Sequence, residues 1–283
     1  LKVLITGASG LLGSDIKNVL LNDAGIEVSA YSRSEFDVTD LKFVRDAVEG
    51  YNVVINCAAY TKVDHAETEK EDAFNVNMTG AKNLATGCTI HKARLIQMST
   101  DYVFDGSKPT HYTEKDIPNP MNIYGASKLA GEKAVRAAGC KYLIIRLQSL
   151  FGMHGPNFVD TIVERLSNEN TPLQVVSDQI SSPTYTKHVA EAVHSLLKVD
   201  RSGIINVSAS GHCSWFEFAV SIADLIGSTI DIEKVDADSF SRPARRPANS
   251  VLDSKWYTRW TGNEMPHWEV GLKEYLAEKG VLV

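Results

Sequence analysis

Lys2-Val-Leu-Ile-Thr6-Gly7-Ala-Ser-Gly10-Leu-Leu-Gly13 is the stretch that decides the fold. A short apolar run enters three glycines spaced Gly-x-x-Gly-x-x-Gly, and an apolar-periodic segment follows. This predicts a strand, a tight turn and a helix. Glycines let the backbone approach a pyrophosphate, and the helix N-terminus supplies unpaired N–H groups and the positive end of its dipole. Three glycines also fit a plain strand-to-helix turn. The strand before and the helix after favour a dinucleotide turn, with Gly7, Gly10 and Gly13 as cofactor-binding candidates.

Working outward, short aliphatic runs recur at residues 27–32, 53–59, 94–100 and 142–147, as strands buried on both faces should read. Helical patterns at 11–22, 40–49, 67–91 and 124–138 alternate with them, and Thr39-Asp40 is the cap expected before the second. Strand–helix alternation implies an α/β, doubly wound parallel sheet of the Rossmann kind. The second half is less regular. Helices are expected at 158–168, 188–198, 214–226 (capped by Ser214) and 268–278, a strand at 203–208, and a loop at 241–250. The division expected is a dinucleotide-binding domain over 1–148, with a returning segment near 183–210, and a smaller C-terminal α/β substrate-binding lobe over 149–283.

The end of the second strand, Ala30-Tyr-Ser-Arg33-Ser34, lacks the acidic residue that meets a ribose 2′-hydroxyl in NAD sites. The hydroxyl and guanidinium suit a 2′-phosphate, so NADPH is the cofactor expected, with NADH as the alternative. A solvated Arg33 is the plainer reading, and Glu35 stands nearby.

With 283 residues, 43% apolar and 23% charged, and a net charge of −6, the composition is that of a globular protein and disfavours nucleic acid or a membrane surface as partner. The four cysteines are widely spaced, and reduced, mostly buried thiols are expected. No apolar run reaches membrane-spanning length, and the first residues read as a strand and not as a signal peptide, so a cytoplasmic location is expected. The eight histidines are scattered without metal-ligand spacing, and no metal is expected.

Tyr124-Gly-Ala-Ser-Lys128 opens a helical pattern, so its tyrosine and lysine share one face. A nearby ammonium is expected to bring the phenol toward working pH, letting Tyr124 give a proton to a carbonyl oxygen as hydride arrives at carbon. Such pairs also arise by accident on surfaces. Thr100, at the end of the fourth strand, is placed where ligands bind in doubly wound sheets and is expected to polarise the carbonyl.

The glycine spacing with Tyr124-x-x-x-Lys128 resembles the extended short-chain dehydrogenase/reductases. Longer segments are similar to one branch, the dTDP-4-dehydrorhamnose reductases: Ala58-Ala-Tyr-Thr-Lys-Val-Asp64, Ser99-Thr-Asp-Tyr-Val-Phe-Asp-Gly106, Tyr124-Gly-Ala-Ser-Lys-Leu-Ala-Gly-Glu132, Ser182-Pro-Thr184 and Arg242-Pro-Ala-Arg-Arg-Pro-Ala-Asn-Ser250. The resemblance implies reduction of the 4-keto group of a nucleotide-linked 6-deoxyhexulose, dTDP-linked, by NADPH or NADH. It assigns catalysis to Thr100, Tyr124 and Lys128. Cofactor binding falls to Gly10, Leu11 and Leu12, to Asp37 and Val38, and to Ala58, Ala59 and Tyr60, with Asn77 ordering the site. Substrate contacts fall to Thr61, Val63, Tyr102 and Ser149. Ser149 stands where the family has a tryptophan against the sugar, which widens the pocket and leaves the exact hexose and its stereochemistry open. Leu11 replaces a frequent glutamine.

A nucleotide sugar also brings two phosphates, and arginine pairs with phosphate bidentately. Arg246 is the residue expected there, with Asn157 and Gln179 as further polar contacts. A homodimer is compatible with these expectations. Two other readings stay open: another nucleotide-sugar oxidoreductase or epimerase of the superfamily, and a non-catalytic nucleotide-binding regulatory subunit.

Overall fold

The first strand, β1 (Lys2–Thr6), ends at the glycine turn and α1 (Leu11–Leu21) opens behind it. The structure is a computed structural model that describes residues 1–168 and 171–283. The chain continues through β2 (Glu27–Tyr31), α2 (Leu41–Ala47), β3 (Val53–Asn56), α3 (Val63–Ala66), α4 (Lys70–Phe74), α5 (Ala81–His91), β4 (Arg94–Thr100), α6 (Ile123–Ala137) and β5 (Lys141–Leu147). Then come β6 (Leu150–Phe151), α7 (Phe158–Asn168), β7 (Leu173–Val176), β8 (Ile180–Ser181), β9 (Thr184–Tyr185), α8 (Thr186–Leu197) and β10 (Gly203–Asn206). The last elements are β11 (Cys213–Ser214), α9 (Trp215–Leu225), β12 (Ile232–Val235), α10 (Lys255–Thr261) and α11 (Trp268–Glu278).

Six strands form one parallel sheet in the order β10-β5-β4-β3-β1-β2. Alternate residues serve opposite faces, as the aliphatic runs predict. Val3, Ile5, Leu143 and Ile145 join a core with Ile16 of α1 and Val189 and Val193 of α8. Leu4, Val54, Leu95 and Ile144 face Val44 of α2, Leu84 of α5 and Val135 of α6. The segment from β9 to β10 returns to the sheet and supplies its edge strand. A second core gathers Phe151, Val159, Ile162, Phe218, Ile222, Trp268, Leu272 and Tyr275 around α7, α9 and α11. Among the described residues, no helix is long and apolar enough to cross a membrane, and the four cysteines are free thiols.

Two of the expected elements differ in ways that shape the crevice. The single helix expected over 67–91 is α4, a π-helical turn at Asn75–Gly80, and α5. A β-carbon at Gly80 would lie 2.6 Å from Val38 Cγ2, and the Asn77 side chain leaves the helix to hold another loop. Such π turns concentrate at functional sites. The strand expected over 53–59 stops at Asn56, whose side chain accepts from Ala58 N (3.1 Å) and bends the chain out of the ladder. Elsewhere the caps fall as predicted: Asp40 accepts from Phe43 N, and Ser214 and Glu217 form a capping box.

Candidate active site

Strand order reverses between β1 and β3, so a crevice opens at their carboxyl ends, the place where doubly wound sheets bind ligands. The glycine turn and the residues after β3 meet there. Gly7 has φ +68°, and a β-carbon on it would lie 2.6 Å from Ala58 N; on Gly13 it would lie 2.3 Å from Gly7 O. These two glycines permit the packing, whereas a β-carbon on Gly10 would meet only Gly7 O, at 3.3 Å. No side chain caps α1 and its first turn carries no acid, so its N–H groups suit a pyrophosphate. Ala58, Ala59 and Tyr60 lie half-buried beside the turn. Leu11 borders it against the loop at Gly155, while the Leu12 side chain belongs to the core.

Ala8 N donates to Tyr31 O (2.9 Å), which brings the end of β2 to the turn. Arg33 and Ser34 are exposed there. The nearby Glu35 carboxylate is taken by Ser32, from its N (2.9 Å) and Oγ (2.6 Å), leaving Arg33 as the available charge. Val38 is buried, and its carbonyl accepts from Asn83. Asp37 turns its carboxylate to Thr39, whose backbone and hydroxyl hydrogen bonds hold it below the usual carboxylate range.

Thr100 ends β4, and α6 is pressed against the turn that follows it. A β-carbon at Gly125 would lie 2.1 Å from Tyr102 O, and one at Gly131 2.2 Å from Asn77 O. Glycine at both positions lets α6 approach the strand end and the π turn. Asn122 caps α6 at Gly125 N (2.8 Å), and Glu67 accepts from Ile123 N (2.8 Å). Tyr124 is thereby held within hydrogen-bonding reach of Thr100, with its ring 5.8 Å from that of Tyr102. Thr100 Oγ1 donates to the buried Asp101 carboxyl at 2.9 Å, which burial pushes up to about 6.

Lys128 is buried and donates from Nζ to Met98 O at 2.7 Å. Burial lowers it to about 8, opposed by Glu132 and Cys57. Lys128 follows Tyr124 by four residues on α6 and so lies on the same helix face. Burial pushes Tyr124 up to about 12, and Thr100 is the group that opposes the rise. One ammonium N–H goes to a backbone carbonyl and two remain, and Tyr124 is a protonated phenol at neutral pH.

A buried line of side chains connects the two halves of the site. Thr6 Oγ1 donates to Asn56 Oδ1 (2.7 Å), Asn56 Nδ2 to Gln97 Oε1 (2.8 Å), and Gln97 Nε2 to the same Met98 carbonyl that holds Lys128 (2.9 Å). Asn77 holds Tyr60 through its backbone N and O and donates to Ser127 Oγ (2.9 Å). None of Asn56, Gln97 or Glu67 was singled out from sequence as acting here. Asn122-x-x-Gly125 was a readable cap pattern.

The substrate candidates fare unequally. Tyr102, half-buried, borders Tyr124, and Thr61 and Val63 follow the loop that leaves β3 beside the glycine turn. Ser149 lies after β5, half-buried, with φ +45° and a 2.9 Å contact to Ser181 Oγ. Gln179 is buried near β8. Asn157 is corrected to a structural role. Its amide donates to Gly152 O, Gly155 O, Asp160 and Tyr275, and its Oδ1 accepts from Asp160 N, so it caps α7. Arg246 is at the crevice, yet its guanidinium is not free: it grips Asp64 bidentately at 2.6 Å on both arms.

A parallel sheet with a glycine turn at its switch point, and a threonine, tyrosine and lysine gathered beside it, define an extended short-chain dehydrogenase/reductase. The chain belongs to the dTDP-4-dehydrorhamnose reductase family: residues 1–281 match the family described as RmlD substrate binding domain. It is 40% identical to the spore coat polysaccharide biosynthesis protein SpsK of Bacillus subtilis, over 98% of both chains. It is 34% identical to the dTDP-4-dehydrorhamnose reductase of Aggregatibacter actinomycetemcomitans, again over 98% of both. The crystal structure of the Bacillus anthracis dTDP-4-dehydrorhamnose reductase in complex with NADP superposes with a TM-score of 0.94 at 38% identity, covering 98% of this chain and 99% of that one.

Proposed function

We propose that this protein reduces the 4-keto group of a dTDP-linked 6-deoxyhexulose with NADPH. The observation that carries the reading is the convergence of Thr100, Tyr124 and Lys128 at the switch point, next to an uncapped helix N-terminus. The glycine turn fits the pyrophosphate, and Arg33 with Ser34 fits the 2′-phosphate. When bound there, NADPH supplies the hydride. The chain's own residues handle the oxygen. Thr100 Oγ orients the carbonyl, and Tyr124, protonated at neutral pH, gives its proton to the oxygen as negative charge develops. Lys128, charged below about 8, adds a fixed positive charge beneath the site. Tyr102, Val63 and Thr61 line the sugar side, and Ser149 leaves the hexose pocket without an aromatic wall. The reading also favours a cytoplasmic enzyme of deoxysugar biosynthesis, acting alone or as a homodimer.

NADPH oxidation against a panel of dTDP-4-keto-6-deoxyhexoses, with product stereochemistry determined, tests it. Oxidation with at least one member is expected, and failure with all of them contradicts the reading.

A further inference from the structure

The segment that carries Arg246 meets the first half of the chain at Asn122, Lys108 and Thr110 through backbone carbonyls or side-chain amides, and at Asp64 through an ion pair. Asp64, on α3, accepts from Arg246 Nη1 and Nη2 at 2.6 Å each and from Ala244 N at 3.1 Å. The Arg246 side chain is 13% exposed and that of Asp64 36%, so solvent reaches the carboxylate more than the guanidinium. Arg246 also hydrogen-bonds Tyr102, whose ring packs on Tyr124. The pair therefore sits one side chain away from the proton donor.

Arg242 acts on Asp64 as well as Arg246 does, and Arg242 is exposed. Two guanidinium groups thus act on this carboxylate, that of Arg246 in contact with it and that of Arg242 from further off. A guanidinium fork fits a carboxylate and a phosphoryl group with the same two parallel N–H···O bonds. A carboxylate in that fork is chemically a stand-in for phosphate oxygens.

We propose that Asp64 competes with the diphosphate of the nucleotide sugar for Arg246, so that substrate binding exchanges an internal carboxylate for a phosphoryl group. This rests on the nucleotide-sugar reading above. The exposed guanidinium of Arg242 meets the incoming anion before Arg246 is released, and the release is coupled through Tyr102 to the neighbourhood of Tyr124. Asp64 is then a residue that weakens ground-state binding, and its carboxylate sets how firmly the 241–250 segment is held.

Isothermal titration with dTDP, on the wild-type chain, Asp64→Asn, Arg246→Lys and the double variant, tests this, with NADPH affinity as the control for folding. Asp64→Asn keeps the shape but removes the competing charge. It is expected to tighten dTDP binding about five- to tenfold. Arg246→Lys loses the fork and is expected to weaken binding about tenfold or more. The gain from Asp64→Asn should vanish in the Arg246→Lys background, the signature of coupling through that guanidinium. Unchanged or weaker dTDP binding by Asp64→Asn overturns the proposal. So does undiminished binding by Arg246→Lys, however Asp64→Asn folds. A wild-type chain that binds NADPH but no dTDP overturns the nucleotide-sugar reading itself, and the competition with it.

Discussion

Lys128 Nζ donates to the backbone carbonyl of Met98, 2.7 Å away, and so pins the second turn of α6 to the middle of the sheet. Gln97 Nε2 shares that carbonyl. The lysine is therefore fixed by the strand next to the one that carries the glycine turn's neighbour, and not by the tyrosine four residues before it. A buried ammonium held this way costs stability and keeps a positive charge under the site.

Lys128→Met is expected to stabilise the protein at pH 7 while abolishing most turnover. Burial lowers Lys128 from its ordinary value to about 8. Between about pH 8 and the ordinary lysine range the unfolded chain binds the extra proton, so stability rises with pH across that window and is lowest below it. The neutral side chain removes a penalty on the order of 3 kcal/mol. Chemical denaturation at pH 7 checks this, and a lower midpoint for the variant contradicts it.

Turnover in the reductive direction is expected to fall as pH rises through about 8, where Lys128 loses its charge. Tyr124, pushed up to about 12, stays protonated across this range and adds no limb of its own. A pH profile of kcat with saturating cofactor reads the limb directly. Lys128→Arg, which cannot lose its proton, should flatten it.

Arg146 and Glu132 form a buried pair, 2.7 Å apart with both side chains 2% exposed, and Ser99 Oγ donates to the same carboxylate. Arg146→Leu strands a buried carboxylate and should cost about 3–5 kcal/mol. Replacing both members by leucine should recover most of the loss, because an apolar pair carries no desolvation penalty. Urea unfolding of the single and double variants separates the two cases.

Gly125→Ala places a β-carbon 2.1 Å from Tyr102 O and forces α6 away from Thr100. Displacement of a catalytic group by about 1 Å costs on the order of 10²-fold in rate. NADPH affinity should stay within about twofold, since the glycine turn lies on another element. Stopped-flow turnover with cofactor titration measures both.

The parallel sheet, the glycine turn and the Thr100–Tyr124–Lys128 set were legible in the sequence because each rests on local pattern: aliphatic runs, glycine spacing, and a helical i, i+4 pair. Asp40 and Ser214 were readable as caps for the same reason. What the sequence left hidden is set by contacts between distant segments. Nothing near Asp64 announces a partner 182 positions later in Arg246. Asn157 reads as a polar crevice residue until its amide is seen closing the turn before α7. The π turn at Asn75–Gly80 comes from the packing of Gly80 under Val38 and from the reach of Asn77 to Tyr60, neither of which helical periodicity encodes.

The most direct test of the central claim follows the hydride. NADPH deuterated on the transferring face of its nicotinamide is given with a dTDP-4-keto-6-deoxyhexose to the wild-type chain and to Tyr124→Phe, and the sugar product is read by mass spectrometry and NMR. The site described here predicts one deuterium at C4 for each NADPH oxidised, and a rate lowered by about 10²-fold or more in Tyr124→Phe with cofactor binding retained. An unlabelled sugar, or a Tyr124→Phe variant as fast as the wild type, would contradict it.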